Sequence, residues 1–228
     1  MGIWWSGIQL TSRSNCGEPC AGNLHARFLE EFISIVKSLV GGINLLMELK
    51  EKTIRETTVY DGHIIKVRLD EAQLPDGSTA PREVVVHPGG VGIALEDEEG
   101  KFFFVTQYRY GQGHVMLEYP AGKKEPGEDP LETAKREIIE ETGYEGKDFV
   151  HLGSLVPTPA YDSEVIELYY AKQGEFRGQH LDEDENINLT KLSLKEITDL
   201  IVKGEVTDAK TVGMTFLIKE FKERGMIF

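Results

Sequence analysis

A cluster of glutamates inside one predicted helix limits the possible functions of this chain more than any other sequence feature. Glu137, Glu140 and Glu141 follow one another at i, i+3 and i+4 within the stretch from Gly122 to Tyr144. On an α-helix this spacing places the three carboxylates on one face, where their like charges repel. A divalent cation relieves that repulsion, and an all-oxygen ligand set suits Mg²⁺ or Mn²⁺ better than zinc. The spacing therefore predicts a metal-binding face on this helix.

Capping residues mark the borders of this helix. Asp129 is the predicted N-cap, Pro130 occupies the first helical position, and Glu132 stands where a capping box needs its acceptor. Gly143 follows the last turn as the residue that ends the helix. Arg136 is placed to pair with the carboxylates and hold one in position for a metal. The apolar side that should pack on the core consists of Leu131, Ala134 and Ile138.

The stretch resembles a Nudix box, the pattern G-x5-E-x7-R-E-U-x-E-E-x-G-U, in which U is a bulky apolar residue. Its specified places are filled without a gap by Gly122, Glu128, Arg136, Glu137, Ile138, Glu140, Glu141 and Gly143. Tyr144 stands at the last place, where an aliphatic residue is usual, and an aromatic ring can pack in the same way. Most runs of charge are solvated helix faces, but the number of matched places outweighs that alternative.

The resemblance implies an α/β/α sandwich with a mixed sheet, and cleavage of a nucleoside diphosphate linked to a second moiety. Matched residue by residue, it implies Glu137 and Glu141 as the main metal ligands and Glu140 as a further one. The Ala121 backbone carbonyl would complete the site, and Arg136 counts with the catalytic residues. The implied cofactor is Mg²⁺, with Mn²⁺ as the alternative. Such ions screen phosphate charge and lower the pKa of a bound water.

Four features outside the box resemble the ADP-ribose pyrophosphatase branch of this family. They are Glu118 in the run LEYPAG, Pro159 in the loop PTPAY, the segment Arg82-Glu83-Val84, and Arg109 in the run QYR. In that branch the Arg-Glu-Val segment contacts the adenine and ribose end of the substrate. Arg109 is placed to bind a phosphate bidentately. A surface ion pair is an equal alternative for Arg109 and a stronger one for Arg82.

The resemblance also implies that a glutamate on a loop well after the box serves as the general base. The acidic run HLDEDENIN, residues 180–188, fits that position, with Glu183 as first choice and Glu185 as second. A loop carboxylate that reaches a metal-bound water on closure is suitable base chemistry. The alternative is a solvated acidic loop without a catalytic role.

Composition limits the partners of the chain. Its 228 residues carry a formal net charge of −14, which argues against nucleic acid because such a partner requires a basic face. No apolar run approaches the ~20 residues of a membrane span, and the first residues lack the basic region of a secretory signal. Cys16 and Cys20, with His25 nearby, lack a second pair of zinc ligands, and we interpret them as thiols in a reducing compartment. We therefore expect a cytoplasmic protein without nucleic-acid or membrane partners.

The chain divides into three predicted segments. Residues 1–46 lack the pattern of the rest, so Met47 is interpreted as the natural initiator. The alternative is an accessory helix over Phe28–Leu39 that packs on a partner. Residues 47–86 predict a small antiparallel sheet, and because short strands bury little by themselves, we expect it to support a homodimer, as in the family. Residues 87–228 predict the catalytic domain.

Alternating and β-branched runs predict the strands, and capping residues predict the later helices. The predicted strands are Glu51–Tyr60, His63–Asp70, Arg82–His87, Val91–Leu95, Lys101–Tyr110, Met116–Pro120, Phe149–Pro157 and Glu164–Lys172. Ser193 opens a helix that reaches about Lys203, and Thr207 caps the last helix. The predicted inner face of that last helix consists of Val212, Phe216, Ile218 and Phe221. Strands with helices after and between them favour a mixed sheet between helices.

Two classes of function remain open. The first is a hydrolase that converts ADP-ribose into AMP and ribose 5-phosphate, with GDP-mannose, another nucleoside diphosphate sugar or NADH as rival substrate. The second is a non-catalytic sensor of ADP-ribose or a related nucleotide, which the intact box glutamates disfavour. Oxidised nucleoside triphosphates are disfavoured as substrates because the N-terminal sheet and the PTPAY loop resemble the ADP-ribose pyrophosphatase branch, whose substrates are nucleoside diphosphate sugars.

Overall fold

The computed structural model describes residues 49–181 and 185–227. Residues Lys52–Gln73 and those from Thr79 onward form one compact unit. Leu74–Ser78 is a tight turn, closed by a bond from the Leu74 N–H to the Ser78 carbonyl. The predicted extension, Met47, the helix over Phe28–Leu39 and Glu183 lie outside the described residues.

A small antiparallel sheet is built from the first four strands. They are β1 (Lys52–Arg55), β2 (Thr58–Asp61), β3 (Lys66–Gln73) and β4 (Thr79–Val86). β3 pairs with β4 along its whole length, while β1 and β2 pair with opposite ends of β3. The strand predicted over Glu51–Tyr60 is therefore two strands, because the pairing with β3 shifts register within both of them.

The central sheet is mixed and has seven strands. They are β5 (Gly90–Glu96), β6 (Lys101–Arg109), β7 (His114–Glu118), β8 (Ala121–Lys123), β9 (Tyr144–Leu155), β10 (Ile166–Phe176) and β11 (Ile187–Ser193). Along the main path the order is β11-β6-β5-β10-β9, with β7 beside β6 and β8 beside β5. β10 runs parallel to β5, and the other pairs are antiparallel.

Helices cover both faces of this sheet. They are α1 (Pro130–Thr142), α2 (Leu194–Val202) and α3 (Ala209–Glu223). Phe103 packs in the cluster that holds Ala134 and Ile138 of α1. Its neighbours Phe102 and Phe104 point to the opposite face and pack in the cluster that includes α2 and α3 side chains. This confirms the predicted α/β/α sandwich with a separate antiparallel sheet.

α1 begins and ends where the sequence indicates, but it lacks the predicted capping box. Asp129 accepts a bond from the Leu131 N–H, and Gly143 ends the helix with a φ of 77°. The Glu132 carboxylate accepts a bond from Lys135, one turn further along the helix, over 2.7 Å. A glutamate at the third helical position therefore pairs along the helix instead of returning to the cap.

Three sequence predictions near the C-terminus are wrong in whole or in part. The end of the acidic run belongs to β11, which pairs with the open edge of β6 and is largely exposed, so its residues lack a strong strand pattern. α3 is capped by Asp208 instead of Thr207. Ile218 is buried and Phe221 packs beside the core as predicted, but Val212 and Phe216 are 37% and 62% exposed. The buried face of α3 consists of Lys210, Thr211, Met214, Thr215 and Ile218.

No helix in the part of the chain that the structure describes is both long enough and apolar enough to cross a membrane.

Candidate active site

A cleft of about 720 Å³ opens beside the loop that precedes α1. Its walls come from β5 to β8, from the segment around Glu164, and from the first residues of α3. The charged or titratable side chains in these walls are His87, Arg109, Tyr110, Glu118, Lys123, Glu164, Asp208 and Lys210. Opposite charges are therefore interleaved around a space large enough for a small-molecule ligand.

The glycine before α1 makes room for a carboxyl group. Gly122 lies on β8, and a Cβ atom placed on it would lie 1.8 Å from the Glu137 Cδ. The preceding N–H, of Ala121, donates to Glu141 Oε2 over 3.0 Å. The β8 backbone thus contacts two carboxylates of the α1 acidic face.

Arg136 joins the acidic face of α1 to the preceding loop. Its Nη1 donates to Glu137 Oε1 and to Glu140 Oε2, each over 2.8 Å. Its Nε and Nη2 donate to the two oxygens of Glu128 over 3.2 and 3.0 Å, and Nη2 also donates to the Lys123 carbonyl. Hydrogen bonds from Arg136 and from the Glu125 N–H lower the pKa of Glu128 to about 2. One guanidinium therefore holds the loop and two carboxylates together.

Two carboxyls on this face are buried at a cost to their charged forms. The pKa of Glu137 is raised to about 7, mainly by burial and also by the charges of Glu140 and Glu185, while Arg136 acts to lower it. Burial also raises the pKa of Glu141 to about 8, with added repulsion from Glu137 and Glu185. A buried carboxylate is stable in its charged form only when a cation or several donors pair with it. This face is consequently short of positive charge.

The donor chemistry of the face fits a hard divalent cation. Carboxylates and a backbone carbonyl are the oxygen ligands that Mg²⁺, Ca²⁺ and Mn²⁺ prefer. Within residues 49–181 and 185–227, no three His, Cys, Asp or Glu side chains converge on one point at ligand distance. Arg136 lies between Glu137 and Glu140, and Glu141 bonds to Ala121. A metal at this face would therefore share these carboxylates with Arg136 and with the Ala121 N–H.

A second charged cluster lies in the wall of the cleft. Arg109 donates to both oxygens of Glu118, from Nε and from Nη2, over 2.7 Å each. Lys210 at the start of α3 donates to the same carboxylate over 3.1 Å. Burial works to raise the pKa of Glu118, but the bonds from Arg109 and the charge of Lys210 outweigh it and hold that pKa below its usual value. Glu118 is thus an ionised, buried carboxylate with two cationic partners.

Lys210 and Asp208 are cleft residues that the sequence analysis missed. Lys210 stands four residues before Met214 and eight before Ile218, on the face of α3 that faces the core. A lysine at a core position of a helix is a signal of a paired buried charge, and it was available in the sequence. The inner face of α3 is predicted from its apolar residues alone, so the prediction does not include Lys210.

Two family models match the chain. A NUDIX domain model matches residues 86–212, and a model described as nucleoside diphosphate sugar hydrolase N-terminal domain matches residues 51–85. The chain belongs to the Nudix family. It is a Nudix hydrolase, and its acidic helix face with Gly122 and Arg136 is the Nudix box of the fold. Nudix hydrolases generally use divalent metal ions, which agrees with the donor chemistry of that face.

Relatives of this Nudix hydrolase carry different names. A methanol dehydrogenase activator from Bacillus methanolicus is 41% identical over 165 residues, which are 72% of this chain and 89% of the relative. An ADP-ribose pyrophosphatase from Bacillus subtilis is 34% identical over 168 residues, which are 73% and 91% of the two chains. The crystal structure of an ADP compounds hydrolase matches with a TM-score of 0.68 and 22% identity, and the match covers 78% of this chain and 97% of that one. That structure supports the fold.

The remaining predicted site residues of this Nudix hydrolase lie in different places. Arg82 and Glu83 are on β4, where Arg82 donates to the Pro81 carbonyl over 2.9 Å, and neither lines the cleft. They lie before His87, where the cleft wall begins. Glu185 lies close enough to the box for its charge to raise the pKa of Glu137 and Glu141. Glu183 falls outside the described residues.

Proposed function

We propose that this Nudix hydrolase cleaves the pyrophosphate bond of ADP-ribose, giving AMP and ribose 5-phosphate. The observation that carries the proposal is the cation-deficient pair Glu137 and Glu141 beside a cleft with Arg109 in its wall. A diphosphate brings negative charge to such a place only with a metal ion, and a guanidinium is a suitable partner for phosphate. The Bacillus subtilis relative named ADP-ribose pyrophosphatase supports this choice of substrate.

The proposed cofactor is Mg²⁺, with Mn²⁺ as the alternative. Glu137, Glu140, Glu141 and the Ala121 carbonyl are the proposed ligands, because they offer oxygen donors on the same side of α1 and β8. When bound, the ion would screen the phosphates and lower the pKa of an attacking water. Arg136 keeps Glu137 and Glu140 oriented through its two bonds of 2.8 Å.

Among the residues of the chain itself, a glutamate after β10 is the proposed general base. Glu183 remains the first choice and Glu185 the second, and the effect of Glu185 on the pKa of Glu137 and Glu141 supports a place for Glu185 near the box. Arg109 is the proposed phosphate-binding residue in the cleft, and Glu118 is proposed as a further substrate-binding residue beside it. Arg82 and Glu83 are proposed to bind the adenine and ribose end.

The proposed organisation is a homodimer of cytoplasmic chains, with no nucleic acid or membrane as partner. Residues 47–86 would form the dimerisation region, residues 87–228 the catalytic domain, and residues 1–46 an extension. Apolar side chains exposed on and beside the small sheet support association. They are Ile54, Val59, Tyr60, Ile64 and Leu69, between 45% and 59% exposed. Light scattering of the full chain tests this arrangement, and a monomer at micromolar concentration would contradict it.

A substrate panel with Mg²⁺ tests the proposed activity. It compares ADP-ribose, GDP-mannose, ADP-glucose, NADH and 8-oxo-dGTP by release of the nucleoside monophosphate. We expect ADP-ribose to lead by about tenfold or more in kcat/KM, about 1.4 kcal/mol of transition-state preference. If GDP-mannose or NADH were cleaved best, that compound would replace ADP-ribose as the assigned substrate. Tight binding of ADP-ribose without turnover of any compound would support a sensor.

The Bacillus methanolicus relative favours a second candidate function, activation of a methanol dehydrogenase. In the test, the protein is added to such a dehydrogenase and the initial rate of methanol oxidation is measured. The Glu141→Gln variant, added at the same concentration, is the control. Activation by the wild type and not by the variant would link the effect to the Nudix chemistry, and no activation by either would dismiss this candidate.

A further inference from the structure

A buried lysine and a more exposed arginine share one carboxylate in the cleft wall. Lys210 has a side chain that is 6% exposed, and the side chain of Glu118 is 3% exposed. The Arg109 side chain, by contrast, is 41% exposed. Both cations contact Glu118 Oε2, at 3.1 Å from Lys210 Nζ and 2.7 Å from Arg109 Nη2. The two cations therefore differ in access to a ligand but serve the same anion.

Lys210 is held firmly in its place. Its Nζ also donates to Asp208 Oδ2 over 2.9 Å and to the Tyr119 carbonyl over 3.4 Å. A Cβ atom on Gly92 would lie 3.0 Å from Lys210 Cδ, so the lysine stem packs closely against β5. Asp208 is fixed in turn as the N-cap of α3 through the Thr211 N–H. These contacts hold the ammonium group between the carboxylates of Asp208 and Glu118.

Arg109 has the opposite freedom. Its side chain donates to both oxygens of Glu118, and it lines the cleft. A guanidinium binds a phosphate through the same pair of N–H groups that it presents to a carboxylate. Bidentate contact with a phosphate would therefore require Arg109 to leave Glu118. A buried carboxylate left without a cation is strongly unfavourable, so this exchange depends on a second cation.

We propose that Lys210 is a positioning residue that stays on Glu118 and neutralises it, so that Arg109 can transfer to a phosphate of the substrate. Lys210 itself does not touch the substrate in this arrangement. Glu118 aligns Arg109 before binding, and Lys210 lowers the cost of releasing it. The inference rests on the proposed function only in that the ligand carries a diphosphate.

A charge-removal cycle tests the role of Lys210. The variants are Lys210→Met, Glu118→Gln and the double variant, each titrated with inorganic pyrophosphate and Mg²⁺ by calorimetry. We expect Lys210→Met to weaken binding about tenfold or more, because Arg109 must then remain on a buried anion. In the double variant no carboxylate at position 118 accepts bonds from Arg109, so binding should return to within about threefold of Glu118→Gln.

Kinetics with the best substrate of the panel gives a second readout. Lys210→Met should raise KM, while kcat at saturating substrate and metal changes less than about threefold. Arg109→Lys should also raise KM, because a lysine lacks the two-pronged geometry. A variant with normal KM and lowered kcat would overturn the proposal.

The matched control is Lys222→Met, on the same helix. Lys222 donates to the buried carboxylate of Glu96 over 2.8 Å and does not line the cleft. The Lys222→Met variant should lose stability much as Lys210→Met does, but it should bind pyrophosphate like the wild type. If Lys210→Met does not fold, Lys210→Gln takes its place in the same cycle.

Two binding results would also overturn the proposal. One is unchanged pyrophosphate binding in Lys210→Met, and the other is binding in the double variant as weak as in Lys210→Met, which would mean that Lys210 contacts the phosphate itself. Failure of the proposed function is a separate outcome. If the wild type does not cleave ADP-ribose, the pyrophosphate titrations still decide the role of Lys210.

Discussion

Gly122 and Glu137 are in such close approach that a Cβ atom on the glycine would lie 1.8 Å from the Glu137 Cδ. Separated by fifteen positions in the sequence, the two meet because β8 pairs with β5 while α1 packs across the same strand. The absence of a side chain on Gly122 is what lets the Glu137 carboxyl lie against the β8 backbone.

Gly122→Ala should therefore displace the Glu137 carboxyl. Because a shift of about 1 Å in a positioning group can cost about 100-fold in rate, we expect kcat to fall about 100-fold or more. The measurement is Mg²⁺-dependent AMP release from ADP-ribose. Gly213→Ala is the control, since the added Cβ would meet only the end of the Leu155 side chain at 3.2 Å. Equal activity of the two variants would contradict the role given to Gly122.

Arg136→Lys should reduce activity although it keeps the positive charge. A lysine cannot reproduce the bonds that the guanidinium makes at once to Glu128, Glu137 and Glu140. Residues that orient metal ligands typically account for about 10–100-fold in metal affinity or activity, and we expect a loss in that range when Mg²⁺ is titrated. Arg177→Lys, at an exposed pair with Glu145, should leave the titration unchanged.

Without metal, the protein should become less stable as pH rises toward 8. The pKa of Glu141 is raised to about 8 and that of Glu137 to about 7 in the folded chain, above the value of about 4.3 for an unfolded glutamate. The folded state keeps protons that the unfolded state has released, so this contribution is complete below about pH 4 and is lost as pH rises through about 7 to 8. Denaturant unfolding in EDTA at several pH values measures it.

Glu141→Gln provides the comparison for that pH dependence. The variant lacks the titrating group, so its stability in EDTA should fall less between pH 5 and 8 than that of the wild type. Mg²⁺ should stabilise the wild type more at pH 8 than at pH 6, because it competes with the proton. The same pH slope in both proteins would refute the assignment.

Glu96→Gln should destabilise the protein at neutral pH and leave the structure of the cleft unchanged. Burial works to raise the pKa of Glu96, but bonds from Lys172, Lys222 and Tyr170 hold it below its usual value. Its contribution is therefore present above the unfolded pKa and is lost as pH falls below about 4. Hydrogen bonds to a charged group typically contribute about 1.5–3 kcal/mol, and we expect a loss in that range in urea unfolding at pH 7.

The comparison of Glu96→Gln with the wild type is then repeated at low pH. The difference in unfolding free energy should shrink as the wild-type carboxyl becomes protonated, while kcat and KM at pH 7 remain those of the wild type. A difference that does not depend on pH would mean that the variant acts through packing and not through charge.

Local patterns carried much of the fold and of the box. The i, i+3, i+4 glutamates, the Asp129 cap and the Gly143 stop are properties of a single helix, and short-range rules are enough to predict them. The alternation of Phe102, Phe103 and Phe104 between two buried faces belongs to a strand covered on both sides. Such features depend on residues within a few positions of one another, so local patterns were enough to predict the Nudix box, the layers of the sandwich and a divalent metal ion as cofactor.

Other features depend on contacts between residues that are distant in the sequence, and only the tertiary structure shows them. β11 exists as a strand because β6 offers it an open edge, and its own exposed residues say little. Lys210 is buried instead of solvated because Glu118, 92 positions away, supplies its counter-charge. Val212 and Phe216 are exposed because the core takes up another face of α3. Burial of a charge or exposure of an apolar ring is set by which elements pack together. The spacing of Lys210 from Met214 and Ile218 indicates a core position, but it does not identify the carboxylate that pairs with the lysine.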